Sequence, residues 1–353
     1  MHIKSFDQFA KGSFRMLILG DLMCETAALP SIANGDPFQF VHRWMSTHDY
    51  VVGGLETTLS GVSSSYPKFS TNDVFADYLH AKVDLLFTAN NHSLDFGVEG
   101  AERTVEVLED FSIAYIGTSK PNKPKRFHDV SLANHEISFL DYTQFLNAKE
   151  EGQEPIYQRP DTQEIPEGVI NFYQQTKVAE DIDLAKKRSE IAVVGLHQSY
   201  RTGAARELTR ESSEKQRERL AQLVEAGADV VLGQHPHYFQ GGEVLNNGKA
   251  IIYSLGNFFS TMSSEEYPFN CGCALTIECD SFSNITYSFL PVATIKEVNS
   301  GLLYVLPMAP MEAGAYAFLT EEQRTTALRE LAEIRKTLRR CSLSETEFPI
   351  QLI

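Results

Sequence analysis

The sequence predicts an α/β protein in which helices pack in layers on β-sheet. Short apolar runs alternate with longer amphipathic stretches over most of the 353 residues. The runs contain few polar residues, which is typical of strands that are covered on both faces. Apolar residues make up 42% of the chain, enough for a large core, and glycine and proline are ordinary in number. Together these observations indicate a layered α/β fold and exclude a disordered or low-complexity chain.

Eight apolar runs are the predicted buried strands. Each is four to seven residues long, and most are rich in Val, Ile, Leu or Phe. Along the chain they occupy residues 14–20, 50–53, 84–88, 113–117, 136–140, 191–196, 228–233 and 250–254.

The stretches between these runs carry the spacing of amphipathic helices. The last of them is followed by Gly227, at a position where helices commonly end on glycine. The predicted helices are residues 73–81, 98–110, 174–189 and 212–226.

The C-terminal part of the chain has a different character. Residues 272–278 and 284–289 are predicted to form antiparallel strands divided by a turn, and residues 320–340 a charged helix on the outside. Residues 147–168, rich in Glu, Gln and Pro, are predicted to be an inserted loop. We therefore divide the chain into a main domain, residues 13–298, and a C-terminal extension packed on it, residues 299–353.

Composition excludes several classes of function. The 31 basic and 47 acidic side chains give a net charge of −16, which argues against nucleic acid as a partner. Five cysteines are too few for a disulfide scaffold, and no run of about 18 apolar residues predicts a transmembrane helix. The first residues contain no apolar signal region, so we expect a cytoplasmic location for the chain as it stands, or the cell envelope if a leader was removed.

Two short motifs that resemble binding sites are expected to have structural roles instead. Asn246-Asn247-Gly248 lacks the glycine spacing of a phosphate loop and is expected to be a hairpin turn. Cys271 and Cys273 have no second thiol pair at ligand spacing, so we expect them to be buried strand residues.

Polar residues follow five of the predicted strands directly. Ligands of open α/β sheets bind at the carboxyl ends of strands, so these side chains are expected at one edge. Singly, each has an alternative role as a helix cap, a turn residue or a histidine satisfied in the core. The pair His235-Pro236-His237 is more diagnostic, because an extended chain directs both rings to one face and proline stiffens the turn. The residues are Asp21, Glu56, Asn90, Asn91, His92, His197, His235 and His237.

These residue types indicate a metal site. Imidazole, carboxylate and amide oxygen suit divalent ions, and the lack of thiolates argues against a structural zinc cage. One carboxylate shared by two ions about 3.5–4 Å apart is the arrangement that hydrolyses phosphate esters. The candidate donors are the eight residues named above.

Several motifs resemble the CapA capsule-synthesis proteins, which are associated with poly-γ-glutamate biosynthesis and belong to the calcineurin-like metallophosphoesterase superfamily. The resemblance covers residues 15–259 and implies a four-layer α/β/β/α sandwich with metals at the strand ends. It rests on Gly20-Asp21, Leu55-Glu56, Ala89-Asn90-Asn91-His92 with Asp95 and Gly97, Gly233-Gln234-His235-Pro236-His237, Gln240 with Glu243, and Tyr253-Ser254-Leu255-Gly256-Asn257-Phe258.

The resemblance also implies individual roles. Two divalent ions (Mn, Zn, Fe or Mg) are expected. The first would be bound by Asp21 and His237, the second by Asn91, His197 and His235, with Glu56 bridging both. His92 resembles the histidine that protonates a leaving group, with Asp95, three residues on, as its orienting partner.

Substrate contacts are expected from Asn90 and from Arg201, which lies four residues beyond His197 and suits phosphate or carboxylate. The sequence also departs from the superfamily around the substrate. Met23 replaces a histidine, Gly54 replaces an asparagine, Ser70 replaces an arginine, and the residues after His197 are Gln-Ser-Tyr-Arg. These changes spare the predicted ligands.

The expected function is therefore a metal-dependent hydrolase linked to poly-γ-glutamate capsule biosynthesis, most simply a phosphoesterase. A variant is hydrolysis or transfer at an amide of a γ-glutamyl polymer. The net charge would repel such a polymer unless the site is locally basic; the candidate cations are Lys120, Lys123, Lys125, Arg126, Arg201, Arg206 and Arg210. The alternative is a non-catalytic binding or assembly component of a capsule-export system, with other capsule-synthesis proteins as partners.

Overall fold

Two β-sheets pack face to face at the centre of the molecule, and helices cover their outer faces. The computed structural model describes residues 10–148, 156–158, 165–199, 209–262, 270–349 and 351. None of the described helices is long and apolar enough to cross a membrane.

The first sheet is built around β1, which pairs in parallel with β2 and β13 and antiparallel with β14. The order of its main path is β16-β15-β14-β1-β2-β3-β4, and β17 pairs with β15. The strands are β1 Phe14–Leu22, β2 Tyr50–Leu55, β3 Leu85–Phe87, β4 Ala114–Ile116, β13 Asn257–Phe259, β14 Asn270–Cys279, β15 Ile285–Lys296, β16 Leu303–Pro307 and β17 Ser344–Glu345.

The second sheet has four parallel strands at its centre, flanked by an antiparallel strand at each edge. Its order is β11-β12-β10-β9-β6-β5, and β7 and β8 form a separate antiparallel pair. The strands are β5 His128–Leu132, β6 His135–Thr143, β7 Leu146–Ala148, β8 Ile156–Gln158, β9 Ile191–His197, β10 Val230–Gln234, β11 Phe239–Val244 and β12 Ala250–Leu255.

Helices form the two outer layers because each carries one apolar face. Four helices pack on the first sheet and two on the second, with separate apolar clusters beneath them. Those on the first sheet are α1 Leu29–Asn34, α2 His42–Met45, α3 Val74–Leu79 and α4 Gly97–Asp110, and those on the second are α5 Gln175–Lys186 and α6 Glu214–Glu225.

The last helix, α7 (Glu321–Arg340), packs on the core between the sheets. Its buried residues Ala327, Leu331, Ile334 and Leu338 recur at helical spacing and belong to that core. At its start, Thr320 forms a capping box with Gln323. The predicted charged helix therefore exists, and its apolar stripe contacts the layer between the sheets.

The predicted four-layer α/β/β/α fold is confirmed, and most strand and helix ends lie within three residues of the predicted ones. The predicted inserted loop at 147–168 is corrected in part, because β7 and β8 form an antiparallel strand pair within it; residues 149–155 and 159–164 lie outside the described residues. The C-terminal extension was predicted to begin at residue 299. Strand β16 lies within it and pairs with β15 of the first sheet.

The two structural interpretations of short motifs also agree with the structure. Residues 245–249 connect β11 to β12, and Gly248 has the positive φ of 81° that such a turn requires. Cys271 and Cys273 are buried in β14.

Candidate metal centre

The first carboxylate is placed where three strands meet. Asp21 lies near the end of β1, in register with Gly54 of β2 and Asn257 of β13, and its N–H donates to the Gly256 carbonyl at 3.0 Å. A side chain on Gly20 would collide with that same carbonyl, so the close approach requires glycine. Glu56 directly follows β2, and its N–H donates to the Leu22 carbonyl at 3.2 Å. Both carboxylates therefore lie at the carboxyl edge of the first sheet.

Asn90 shapes the turn that follows β3. Its side-chain NH₂ donates to the Leu55 carbonyl at 2.7 Å, and its amide oxygen accepts the N–H of His92 at 3.0 Å. Its backbone N–H donates to the Ser93 hydroxyl at 2.8 Å. Both ends of the amide are thus engaged within the chain and hold the turn, and the substrate contact expected of Asn90 stays a prediction.

The three histidines come from the ends of neighbouring strands in the second sheet. His197 is the last residue of β9, and His235 and His237 follow β10. His235 adopts a φ of 95°, a strained conformation for a histidine that redirects the chain. The ring centroids of His197 and His235 are 5.0 Å apart, and those of His235 and His237 are 6.3 Å apart.

The donor atoms form two groups that share one carboxylate. Glu56, His197 and His235 each offer an atom within 4.8 Å of the others, and so do Asp21, Glu56 and His237. Glu56 Oε1 lies 3.6 Å from His197 Nε2, whereas Glu56 Oε2 lies 3.8 Å from His237 Nδ1. The two oxygens of Glu56 thus face different groups. This grouping is the one that the resemblance implies for two ions bridged by Glu56.

Asn91 belongs beside the group that contains His197. Its Oδ1 lies 2.6 Å from His197 Nε2, and its side-chain NH₂ donates to Asn147 Oδ1 at 3.1 Å. The amide oxygen therefore points toward the donor atoms while the nitrogen points away. All six predicted ligands are buried, with exposed fractions of 5% or less: Asp21, Glu56, Asn91, His197, His235 and His237.

Burial sets the protonation of this cluster. Burial, together with the nearby imidazoles of His235, His92 and His237, lowers the pKa of His197 well below its usual value, so this ring is neutral at pH 7. Burial raises the pKa of Asp21, and His237 opposes that rise. A neutral imidazole is the form that binds metal, and buried carboxylates gain from a cation in contact. The donor set therefore fits divalent ions in charge and in chemistry.

A histidine–carboxylate pair lies beside the donor groups. His92 Nδ1 is 2.7 Å from Asp95 Oδ2, which also accepts the N–H of Phe69 at 2.7 Å. The Phe69 ring packs on the imidazole, with centroids 4.3 Å apart. The side-chain NH₂ of Asn147 lies 3.3 Å from each ring nitrogen of His92. The imidazole is thus fixed on several sides.

Sequence reasoning missed two residues of this site. Asn147 was included in the inserted loop, although its side chain contacts both Asn91 and His92. Asn257 was quoted only as part of a motif, yet its Oδ1 lies 2.8 Å from His237 Nδ1. For Asn257 the signal was present, since it lies within the Leu-Gly-Asn-Phe block after a buried strand.

The predicted basic residues fall into different places. Arg201 and Arg206 lie outside the described residues. Arg210 forms an ion pair with Glu330 of α7 and packs on the Tyr238 ring. In the other cluster, Lys120 pairs with Glu109 at 2.7 Å and Arg126 with Asp181 at 3.2 Å; Lys125 packs on the Tyr115 ring. Arg210, Lys120, Lys125 and Arg126 therefore each contact another residue of the fold.

Comparison with known proteins agrees with the motifs. The family described as bacterial capsule synthesis protein PGA_cap matches residues 15–262. The capsule biosynthesis protein CapA of Bacillus anthracis is 26% identical over 231 residues, 63% of this chain and 53% of that protein. The PGA biosynthesis protein CapA of Bacillus subtilis is 27% identical over 230 residues, 63% of this chain and 56% of that protein.

Among solved structures, a hypothetical protein from Thermus thermophilus aligns with a TM-score of 0.48 at 15% identity, covering 79% of this chain and 99% of that one. The chain spans about half the length of the curated relatives it matches. The family match extends over more than two thirds of the chain and includes every predicted metal ligand. The chain belongs to the PGA_cap family of bacterial capsule synthesis proteins.

Proposed function

We propose that this chain is a metal-dependent hydrolase, most simply a phosphoesterase, that acts in the biosynthesis of a poly-γ-glutamate capsule. The observation that carries the proposal is the pair of buried donor groups that share Glu56 at the strand ends. A histidine–carboxylate pair beside them supplies the groups that acid catalysis needs.

Asp21, Glu56 and His237 would hold one divalent ion, and Glu56, Asn91, His197 and His235 the other. When bound, such ions lower the pKa of water and neutralise charge on the attacked group. The oxygen and nitrogen donors suit Mn, Zn or Fe, and Mg to a lesser degree because three of the six donors are imidazoles.

His92 would donate a proton to the leaving group. Asp95 holds Nδ1 at 2.7 Å, which fixes the ring so that Nε2 is the nitrogen directed away from Asp95. Phe69 and Asn147 restrict rotation of the ring. Such an oriented acid contributes typically 10²–10⁴-fold to a rate.

The substrate would be a phosphate ester or an amide of a γ-glutamyl polymer. Both contain an anionic or polarised centre that a pair of divalent ions attracts. The net charge of −16 disfavours a long polyanion over a small ester, unless positive charge is concentrated at the site.

The test is to measure metal content and hydrolysis together. Purified protein is analysed for bound metal and assayed with p-nitrophenyl phosphate and manganese, and with γ-glutamyl oligomers. We expect His235→Ala to lose metal, and His92→Ala to keep metal but lose most activity. His80→Ala, at an exposed histidine, is the matched control and should behave as wild type.

Two outcomes would oppose the proposal in different ways. A metal-free native protein that takes up no added manganese contradicts the metal site. Metal binding and polymer binding without turnover of any substrate would favour the alternative, a non-catalytic assembly component of the capsule system.

A further inference from the structure

Asn257 is a buried amide beside the candidate metal centre that none of the roles above uses. It is the first residue of β13 and is 2% exposed. Its Oδ1 lies 2.8 Å from His237 Nδ1, and the same nitrogen lies 3.7 Å from Asp21 Oδ2 and 3.8 Å from Glu56 Oε2. The amide oxygen therefore adjoins the nitrogen of His237 that faces both carboxylates.

Strand pairing places Asn257 next to Asp21. Strand β13 runs parallel to β1, and these two residues are directly paired, at the strand spacing of about 4.8 Å. Both side chains approach the same nitrogen of His237, so they project from the same face of the sheet. On the other side of β1, Asp21 is paired with Gly54, which has no side chain. Asn257 is therefore the neighbour in the sheet that can share an ion with Asp21.

The backbone around Asn257 is fixed by the site itself. The preceding residue, Gly256, has a φ of 71°, a conformation that glycine adopts readily, and its carbonyl accepts the N–H of Asp21 at 3.0 Å. The N–H of Asn257 donates to the His237 carbonyl at 3.4 Å. The amide is thus attached through its backbone to two of the proposed ligands.

The orientation of the amide resembles that of Asn91 at the other donor group. The side-chain NH₂ of Asn257 donates to Asn270 Oδ1 at 3.0 Å, which directs the oxygen toward His237. The NH₂ of Asn91 likewise donates to an asparagine oxygen, and its own Oδ1 lies 2.6 Å from His197 Nε2. Each donor group therefore has one amide oxygen beside one of its imidazoles.

An amide oxygen at this position suits a divalent ion. Carbonyl oxygens are ligands of Mg, Ca and Mn, and they add no charge to the buried site. Two donors that bind one ion at about 2.1 Å lie roughly 3.0–3.4 Å apart. The separation of 2.8 Å between Asn257 Oδ1 and His237 Nδ1 needs only a small increase to reach this value.

We propose that Asn257 Oδ1 is a direct ligand of the ion held by Asp21, Glu56 and His237. The inference rests on the proposed function, because it requires that the ion binds. Each of the two ions would then have four protein donors, with Glu56 counted for both and one asparagine oxygen in each set. The contrasting role is that of a positioning residue, which would contact His237 but not the ion.

Crystals of the wild-type protein grown with Zn²⁺ test the ligand directly. We expect Asn257 Oδ1 at about 2.0–2.2 Å from one of two ions, the distance of an oxygen ligand of zinc. An ion bound by Asp21 and His237 with a water between it and Asn257 would refute the inference and leave the proposed function intact. This measurement requires no variant to fold.

A calorimetric titration of the metal-free protein with Mn²⁺ measures the contribution of Asn257. Asn257→Leu keeps the approximate shape but has no donor, and it should weaken one site by more than the 10–100-fold typical of outer-sphere partners, leaving the other site unchanged. Asn257→Asp keeps an oxygen donor and should retain most of the affinity. Asn270→Leu removes only the partner of the NH₂, so its loss should stay within about 10–100-fold. Asn246→Leu, in the exposed β11–β12 turn, is the matched control and should bind as wild type.

Double variants identify which ion is affected. In a His237→Ala background, where the same site is already weakened, Asn257→Leu should add little. In a His235→Ala background its full effect should remain, because residues that serve different ions act independently. Circular dichroism of each metal-free variant verifies that it is folded.

The results that overturn the inference are distinct from those that overturn the function. A wild-type protein that binds neither Mn²⁺ nor Zn²⁺ refutes both proposals. Two sites that bind with equal affinity in wild type and Asn257→Leu refute this inference alone. A loss in Asn257→Leu no larger than that in Asn270→Leu also refutes it, because Asn257 would then act only by positioning His237.

Discussion

Replacing the shared carboxylate should remove the binding of both ions at once. Glu56→Gln keeps the shape of the side chain but deletes the charge that faces both donor groups, through Oε1 on one side and Oε2 on the other. His235→Ala, by contrast, removes a donor from one group only. The two variants therefore separate a shared ligand from an unshared one.

The expected rise in Tm follows from the linkage between ion binding and folding. An ion present at 100 times its dissociation constant stabilises the folded protein by about 2.7 kcal/mol, so two ions contribute about 5 kcal/mol. For a domain of this size 1 kcal/mol corresponds to roughly 2 °C in Tm, which predicts a rise of about 10 °C for wild type. Glu56→Gln should gain only a small part of this rise, and His235→Ala about half.

For the metal-free proteins we expect a different order of Tm values. Asp21 and Glu56 are two carboxylates buried in the same place, and burial already raises the pKa of Asp21. Without a cation, burial makes a charged carboxylate costly, so the neutral Glu56→Gln with chelator is expected to unfold at or above the Tm of wild type with chelator.

The assay is differential scanning calorimetry in EDTA and in Mn²⁺, with His80→Ala as a control whose metal-dependent rise in Tm should equal that of wild type. The reasoning is refuted if Glu56→Gln shows the same metal-dependent rise in Tm as wild type. It is equally refuted if wild type shows no rise at all.

Three further perturbations test other parts of the account. Asp95→Asn keeps both ions but releases the constraint on the His92 ring, so kcat on p-nitrophenyl phosphate should fall about 10²–10⁴-fold; loss of metal in this variant would instead mean that Asp95 supports the metal site. Burial lowers the pKa of His48 to about 4, so unfolding takes up a proton below about pH 6.5, and stability falls as the pH is lowered through this window. Urea unfolding at pH 7 and pH 5 should therefore show a smaller difference in His48→Gln than in wild type, and identical differences would exclude His48 as a source. Leu331→Ala, in the apolar stripe of α7, should cost about 2–5 kcal/mol in urea unfolding, whereas Glu333→Ala on the exposed side should cost little; equal costs would show that the stripe does not support the core.

The sequence predicted well those features that depend on local patterns. Buried strands are visible as apolar runs, and the residues directly after them, such as Asp21 and His197, must lie at a sheet edge whatever the register. The capping box and apolar stripe of α7 are equally local. For these features, the strand or helix itself determines where the side chain points.

The remaining features depend on contacts between distant parts of the chain. Strand β5 was missed because it is an edge strand with alternating exposure rather than an apolar run. Asn147 reaches the site only because β7 runs beside Asn91, whose carbonyl accepts the Asn147 N–H at 2.9 Å. Asn91 contacts His197, which lies 106 residues further along the chain. No local pattern reports such pairings.

The central claim is that two divalent ions share Glu56 between two buried donor groups. An anomalous difference map from crystals grown with Mn²⁺ tests it most directly. The account predicts two peaks about 3.5–4 Å apart, with one oxygen of Glu56 toward each and the imidazoles of His197 and His235 on one of them. A single peak, or none between the carboxylates and the three histidines, would contradict it.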